Sequence, residues 1–223
     1  MNFKVFKIKA IPTLFWSSKK TLTLRPSPIS FLFLILGLLL FGLGEALLIA
    51  AGVGVSPWTV FAQGISINTD WSIGVSTAVI SSLVLFLWIF LKQTPGLGTI
   101  FNVIIISIVL DLSLPYLPNF ETLFFNIIMA ATGVLITGFG GAIYLIANLG
   151  PGPRDGLMTG LQRLTNYPIA LVRGSIEVTA VIVGAFLGGV VGIGTLFFAF
   201  GIGPALALSI LLLTKLFDHN SVD

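Results

Sequence analysis

Six apolar stretches, near residues 31–53, 72–91, 97–114, 124–148, 169–190 and 193–214, limit what this chain can fold into. Each comes close to the roughly 20 helical residues that cross a hydrocarbon core about 30 Å thick. Breakers separate them: Ser56-Pro57, Asn68-Thr69-Asp70, Gln93-Thr94-Pro95-Gly96, the run from Pro115 to Asn119, Gly150-Pro151-Gly152-Pro153 and Gly188-Gly189. Lipid offers no partner to backbone polar groups, so spans of this length read as helices. Only 9% of the 223 residues are charged against 56% hydrophobic, and mean hydropathy is +1.09, too little charge to cover a water-facing surface. An all-α integral membrane protein of about six transmembrane helices is expected, with the lipid bilayer as its first partner.

The net charge of +3 does not point to nucleic acid, because the basic residues are not spread over a domain. Six of the eleven (Lys4, Lys7, Lys9, Lys19, Lys20 and Arg25) fall in residues 1–30, which read as a basic cytoplasmic tail. With that tail inside, Lys92, Arg154, Arg163 and Lys215 also fall inside, and the outer loops hold Asp70 and Glu121 but no Lys or Arg. The positive-inside rule therefore predicts a multi-pass cell-membrane protein with both termini cytoplasmic, residues 216–223 forming the C-terminal tail. Trp71 and Tyr116 at outer ends, and Trp88, Tyr144 and Tyr167 towards inner ends, read as interfacial belts. The apolar run after Arg25 exceeds a signal-peptide core. Phe3, Val5, Phe6, Ile8, Phe15 and Trp16, interleaved with lysines, are expected to lie against anionic headgroups. No cysteine is present and the single histidine, His219, is in the C-terminal tail, so no metal site, cofactor or Ser-His-Asp arrangement is readable in the membrane body.

Shifting the sequence by 96 positions lays the first unit, residues 31–118, on 127–214, within the second unit of 124–215. Gly37, Gly42, Gly44, Gly54, Gly64, Gly96 and Gly98 fall on Gly133, Gly138, Gly140, Gly150, Gly160, Gly192 and Gly194, and Pro57 falls on Pro153. About two such glycine matches are expected by chance. Each unit holds three spans, an odd number, so the second copy is expected to be inverted in the membrane, a plan that recurs in secondary transporters.

The same construction follows the first span of each unit: Gly54-Val55-Ser56-Pro57-Trp58-Thr59 and Gly150-Pro151-Gly152-Pro153-Arg154-Asp155. A small residue followed by proline is a helix-start signature, so short helices are expected from Pro57 to about Ile67 and from Pro153 to about Leu164. Two readings stand. They are half-helices aiming their N-termini at a solute, or amphipathic helices lying at the interface.

At these residues the chain resembles the YczE-like integral membrane proteins of the bacterial YczE/YyaS/YitT group. The likeness rests on residues 54–60 and on Gly152-Pro153-Arg154-Asp155-Gly156-Leu157-Met158, with Leu171-Val172-Arg173, Ile176-Glu177-Val178 and Gly192-Ile193-Gly194-Thr195 in support. It covers roughly 31–214 and departs at Thr59, where the group's motif often carries an acidic residue. The resemblance implies a membrane protein and supplies no substrate.

Charges inside spans cost at least about 2.5–3.5 kcal/mol each on insertion scales and need a reason. Arg173 and Glu177 are four apart, able to neutralise each other, and their counterparts 96 residues earlier are Thr77 and Ser81. Glu45 lies about fourteen residues into its span, roughly 21 Å from the inner end, with no basic residue in helical reach. It is either a coupling carboxyl that gains and loses a proton or a neutral acid bonded between helices. Asp111 reads as a span terminus. Glu45, Arg154, Asp155, Arg173 and Glu177 are thus the candidate solute or coupling-ion residues. The leading expectation is a secondary transporter or exporter of a small solute, anionic in one reading. The alternative is a non-transporting accessory subunit that docks a partner protein, with a homo-oligomer also open. An enzyme is not expected, since no nucleophile–base constellation is readable.

Overall fold

Proline and small residues start most of the helices. The computed structural model describes residues 11–217. Ser27 caps α1 (Pro28–Ala50) by accepting from the Ser30 N–H at 3.1 Å, with Pro28 in the first turn. The short helices α2 (Pro57–Thr69) and α6 (Pro153–Thr165) begin on their prolines and end on left-handed Asp70 and Asn166, slightly beyond the expected 67 and 164. Ser72 caps α3 (Ile73–Phe90). The remaining helices are α4 (Leu97–Ser113), α5 (Leu123–Ile146), α7 (Ile169–Phe186) and α8 (Ile193–Phe217), with a 3-10 turn at Leu114–Tyr116. The fifth apolar stretch stops being helical at Phe186 rather than 190, where Gly188 turns left-handed at φ 97°. All but α2 and α6 are long and apolar enough to cross a membrane. The protein is an all-helical integral membrane protein, with no strand among the described residues.

Helix α1 packs along α5, and glycine makes this possible. A Cβ on Gly37 would sit 2.8 Å from the Gly140 carbonyl, and one on Gly140 2.6 Å from that of Gly37. Gly44 and Gly133 stand in the same relation, at 2.6 and 2.7 Å. The pairing 37–140 and 44–133 runs in opposite senses along the two helices, so α1 and α5 are antiparallel. Bare glycine faces let the backbones touch where lipid gives no hydrophobic drive to associate.

Further contacts come in pairs whose members are 96 residues apart. Gly98 N–H donates to the Leu149 carbonyl at 2.6 Å, and Gly194 N–H to the Val53 carbonyl at 2.8 Å. Helix α2 packs on α7 and α6 on α3, so each short helix leans on the opposite half.

The N-terminal segment departs from the headgroup expectation. Trp16 is fully buried, stacked on Phe33 at 4.4 Å and edge-on to Phe217. Ser17 Oγ donates to the Ile146 carbonyl at 2.6 Å and Ser18 N–H to that of Ala147 at 3.0 Å. Carbonyls at the end of α5 have no partner within the helix, and this segment satisfies them, which outweighs lying on a membrane surface. Phe3, Val5, Phe6 and Ile8 fall outside the described residues, as does most of the C-terminal tail. Two of the aromatics expected at the interface are also buried: Trp88 at 2% and Tyr144 at 4% exposure. Each has a polar partner inside the protein, whereas Trp71, Tyr116 and Tyr167 are exposed.

Candidate functional site

Glu45 owes its surroundings to a reversal of the chain just beyond α1. Gly52 and Gly54 take φ of 65° and 107°, a region that side chains rarely adopt. The turn sends the chain back alongside α1, so that Ser56 and the first turn of α2 return to the level of Glu45. That residue is five positions, roughly 8 Å, short of the last residue of α1. Ser56 Oγ and Thr59 Oγ1 lie 2.8 and 2.9 Å from Glu45 Oε2, and 2.8 Å from one another. Glu45 is 3% exposed, and its other oxygen, Oε1, has no hydrogen-bond partner among the described residues. The sequence signalled both the carboxylate and the Ser56-Pro57 break but not their union, which the two glycines bring about.

The second break is built alike but carries different chemistry. Gly150 takes φ 117°, Gly152 precedes Pro153, and the Trp88 indole N–H donates to the Pro153 carbonyl at 2.9 Å. The Arg154 guanidinium lies over the Phe41 ring, 5.2 Å from its centre, a cation–π placement. Tyr144 donates its hydroxyl to Asp155 Oδ2 at 3.1 Å. On α7, Arg173 Nε meets Glu177 Oε1 at 2.9 Å, the one ion pair among the described residues. Asp111 serves locally, accepting from Gly74 N–H at 2.8 Å and Ser72 Oγ at 2.6 Å, and so anchors the start of α3.

These groups, Trp88 and Asp111 excepted, line two adjoining cavities of about 70 and 80 Å³, each large enough for a few waters. The smaller is lined by Glu45, Ser56, Thr59, Thr77, Ser81 and Asn102, closed by Ile106 and Leu110. The larger is lined by Gly141, Asp155, Arg173, Glu177 and Phe198, closed by Ile202 and Leu206. Phe41, Trp58, Tyr144 and Arg154 border both. Of the first-half residues in the smaller lining, all but Ser56 and Val84 have their counterpart 96 positions on in the larger, among them Glu45 and Gly141, Thr59 and Asp155, Thr77 and Arg173, Ser81 and Glu177, and Asn102 and Phe198. All five charged residues singled out from sequence thus border the pair. Tyr144 read only as an interfacial aromatic and Asn102 carried no signal, because a place in a cavity wall is a property of packing.

The chain is 39% identical to a protein of Haemophilus influenzae over 94% of its own length and 95% of that protein's. It is 30% identical to the membrane protein YczE of Bacillus subtilis over 78% of this chain and 82% of YczE. With YyaS of the same organism it shares 28% identity over 72% of this chain and 82% of YyaS. No solved structure matches. The pattern of the DUF6198 family, described as a family of unknown function, matches residues 29–210, which hold every helix described here but the ends of α1 and α8, and the chain belongs to that family.

Proposed function

We propose that this protein is a secondary transporter of a small anionic solute in the cell membrane, working by alternating access between two inverted three-helix repeats with both termini cytoplasmic. The observation that carries the reading is the pair of cavities lined by residues 96 positions apart and divided by one shared wall. In inverted-repeat transporters the site lies where the repeats meet, and one repeat rocks against the other around it. The antiparallel α1 and α5 supply such an axis, and the exchanged packing of α2 and α6 would tie each break to the motion of the opposite half. Both breaks present the start of a 13-residue helix to the shared wall, where the dipole favours negative charge. Arg154 and Arg173 add two fixed positive charges on the larger cavity.

Reconstitution into liposomes, with uptake of a panel of isotopically labelled small carboxylates and phosphates under an imposed pH gradient, tests this. Saturable flux is expected for at least one anion, falling tenfold or more in Arg154→Ala while the variant still purifies folded. No flux with any member of the panel would contradict the reading. A protein partner retained at fixed stoichiometry, without flux, would favour an accessory subunit.

A further inference from the structure

We propose that the two cavities are occupied as a linked pair. Glu45 carries an exchangeable proton in the smaller, a small oxyanion binds Arg154 and Arg173 in the larger, and Arg154 on the shared wall makes each occupancy depend on the other. The inference rests on the transport reading above and names its substrate class and coupling ion.

The Glu45 site has the wrong number of protons when ionised. Its Oε2 and the Ser56 and Thr59 hydroxyls form a triangle with edges of 2.8 to 2.9 Å. Two hydroxyl protons can fill only two of those three contacts. A proton on the carboxyl fills the third, as Oε2–H to Ser56, Ser56 to Thr59 and Thr59 back to Oε2. The remaining oxygen, Oε1, is buried without a partner in a residue that borders the cavity, where a proton or water would meet it. Of the charged and titratable groups facing Glu45, α6 brings Arg154 and α5 brings Tyr144, whose hydroxyl is committed to Asp155. Helices α2, α3 and α4 bring only neutral hydroxyls and the Asn102 amide. Arg154 is therefore the one positive charge acting on Glu45.

Arg154 is also uncommitted, with no ion pair within 4 Å and no side-chain hydrogen bond among the described residues. It can lend its charge to Glu45 on one side of the wall or to an anion on the other. Charge counting gives the sign of the linkage. Two arginines face three carboxylates across the cavities, a net of −1 that repels an anion. A proton on Glu45 brings the site to neutrality and frees Arg154 for the oxyanion. Linkage is reciprocal, so the bound oxyanion must in turn favour the proton.

Purified full-length protein in lipid nanodiscs, treated at fixed pH with a fluorescent hydrophobic carbodiimide that adds only to protonated carboxyls, reads the Glu45 proton directly. Peptide mapping should find the adduct on Glu45 and not in Glu45→Gln. Acetate or inorganic phosphate, at ionic strength matched with chloride, should raise labelling about five- to tenfold, the range of ordinary coupling. Arg154→Gln should still label but lose that response, and Arg154→Lys should keep part of it. A response to acetate alone assigns a carboxylate solute, and to phosphate alone a phosphate. No labelling at Glu45, labelling indifferent to both oxyanions, or an undiminished response in Arg154→Gln would overturn the linkage. Labelling suppressed by sodium relative to choline would make the occupant a metal cation and overturn the proton. Because this is a binding measurement, linkage without flux removes the transport reading alone, and flux without linkage removes this inference alone.

Discussion

At the scale of single residues, much depends on a few polar groups held at depth. Ser56 and Thr59 are the only hydrogen-bond partners of the Glu45 carboxyl among the described residues, so Ser56→Ala leaves an acid with half its partners. A cost of about 1–3 kcal/mol is expected, seen as a lower thermal midpoint in detergent. Thr59→Ala should behave alike, and the double variant should cost less than the sum because the two hydroxyls share one oxygen. An unchanged midpoint in both single variants would show that Glu45 is satisfied in some other way. The Trp88 indole makes one hydrogen bond, to the Pro153 carbonyl, and also packs its ring against Gly156. Trp88→Phe should cost about 1 kcal/mol for the lost bond, plus whatever the smaller ring leaves unfilled. Gly156→Ala should be worse, since a methyl there would overlap the indole.

At the scale of elements, the α1–α5 glycines and the N-terminal strap make separable predictions. Gly44→Ala forces a methyl onto the α5 backbone, a rigid neighbour, and should destabilise by about 1–3 kcal/mol. Gly203→Ala, with open space where its Cβ would point, is the matched control and should leave the thermal midpoint unchanged. Trp16→Ala should cost about 3 kcal/mol, because the ring is enclosed by Phe15, Phe33 and Phe217 rather than lying in headgroups. The sequence made the helices legible because lipid demands long apolar runs, and it made the breaks legible because proline and glycine act locally. Trp88 and Tyr144 were misleading for a related reason. An aromatic near the end of a span looks the same whether it faces headgroups or packs inward, and only tertiary contacts decide. The Glu45–Ser56 union was hidden because it depends on a reversal at Gly52 and Gly54 whose direction composition does not encode.

At the scale of the whole molecule, contacts recur at a spacing of 96 residues, while the side chains that line the two cavities differ. The α1–α5 glycine contacts, the Gly98–Leu149 and Gly194–Val53 bonds and the two cavities all recur with the halves exchanged. One cavity holds a carboxyl among hydroxyls and an amide, while the other holds an arginine–carboxylate pair 96 positions on from Thr77 and Ser81. In the proposed transporter the halves are oppositely oriented in the bilayer. Because the chain has no cysteine, Thr69→Cys and Thr165→Cys place single thiols at exposed, corresponding ends of α2 and α6. Intact cells treated with a membrane-impermeant maleimide should label residue 69 and leave residue 165 unlabelled until the membrane is opened. Labelling of both from the same side would contradict the inverted arrangement and, with it, alternating access.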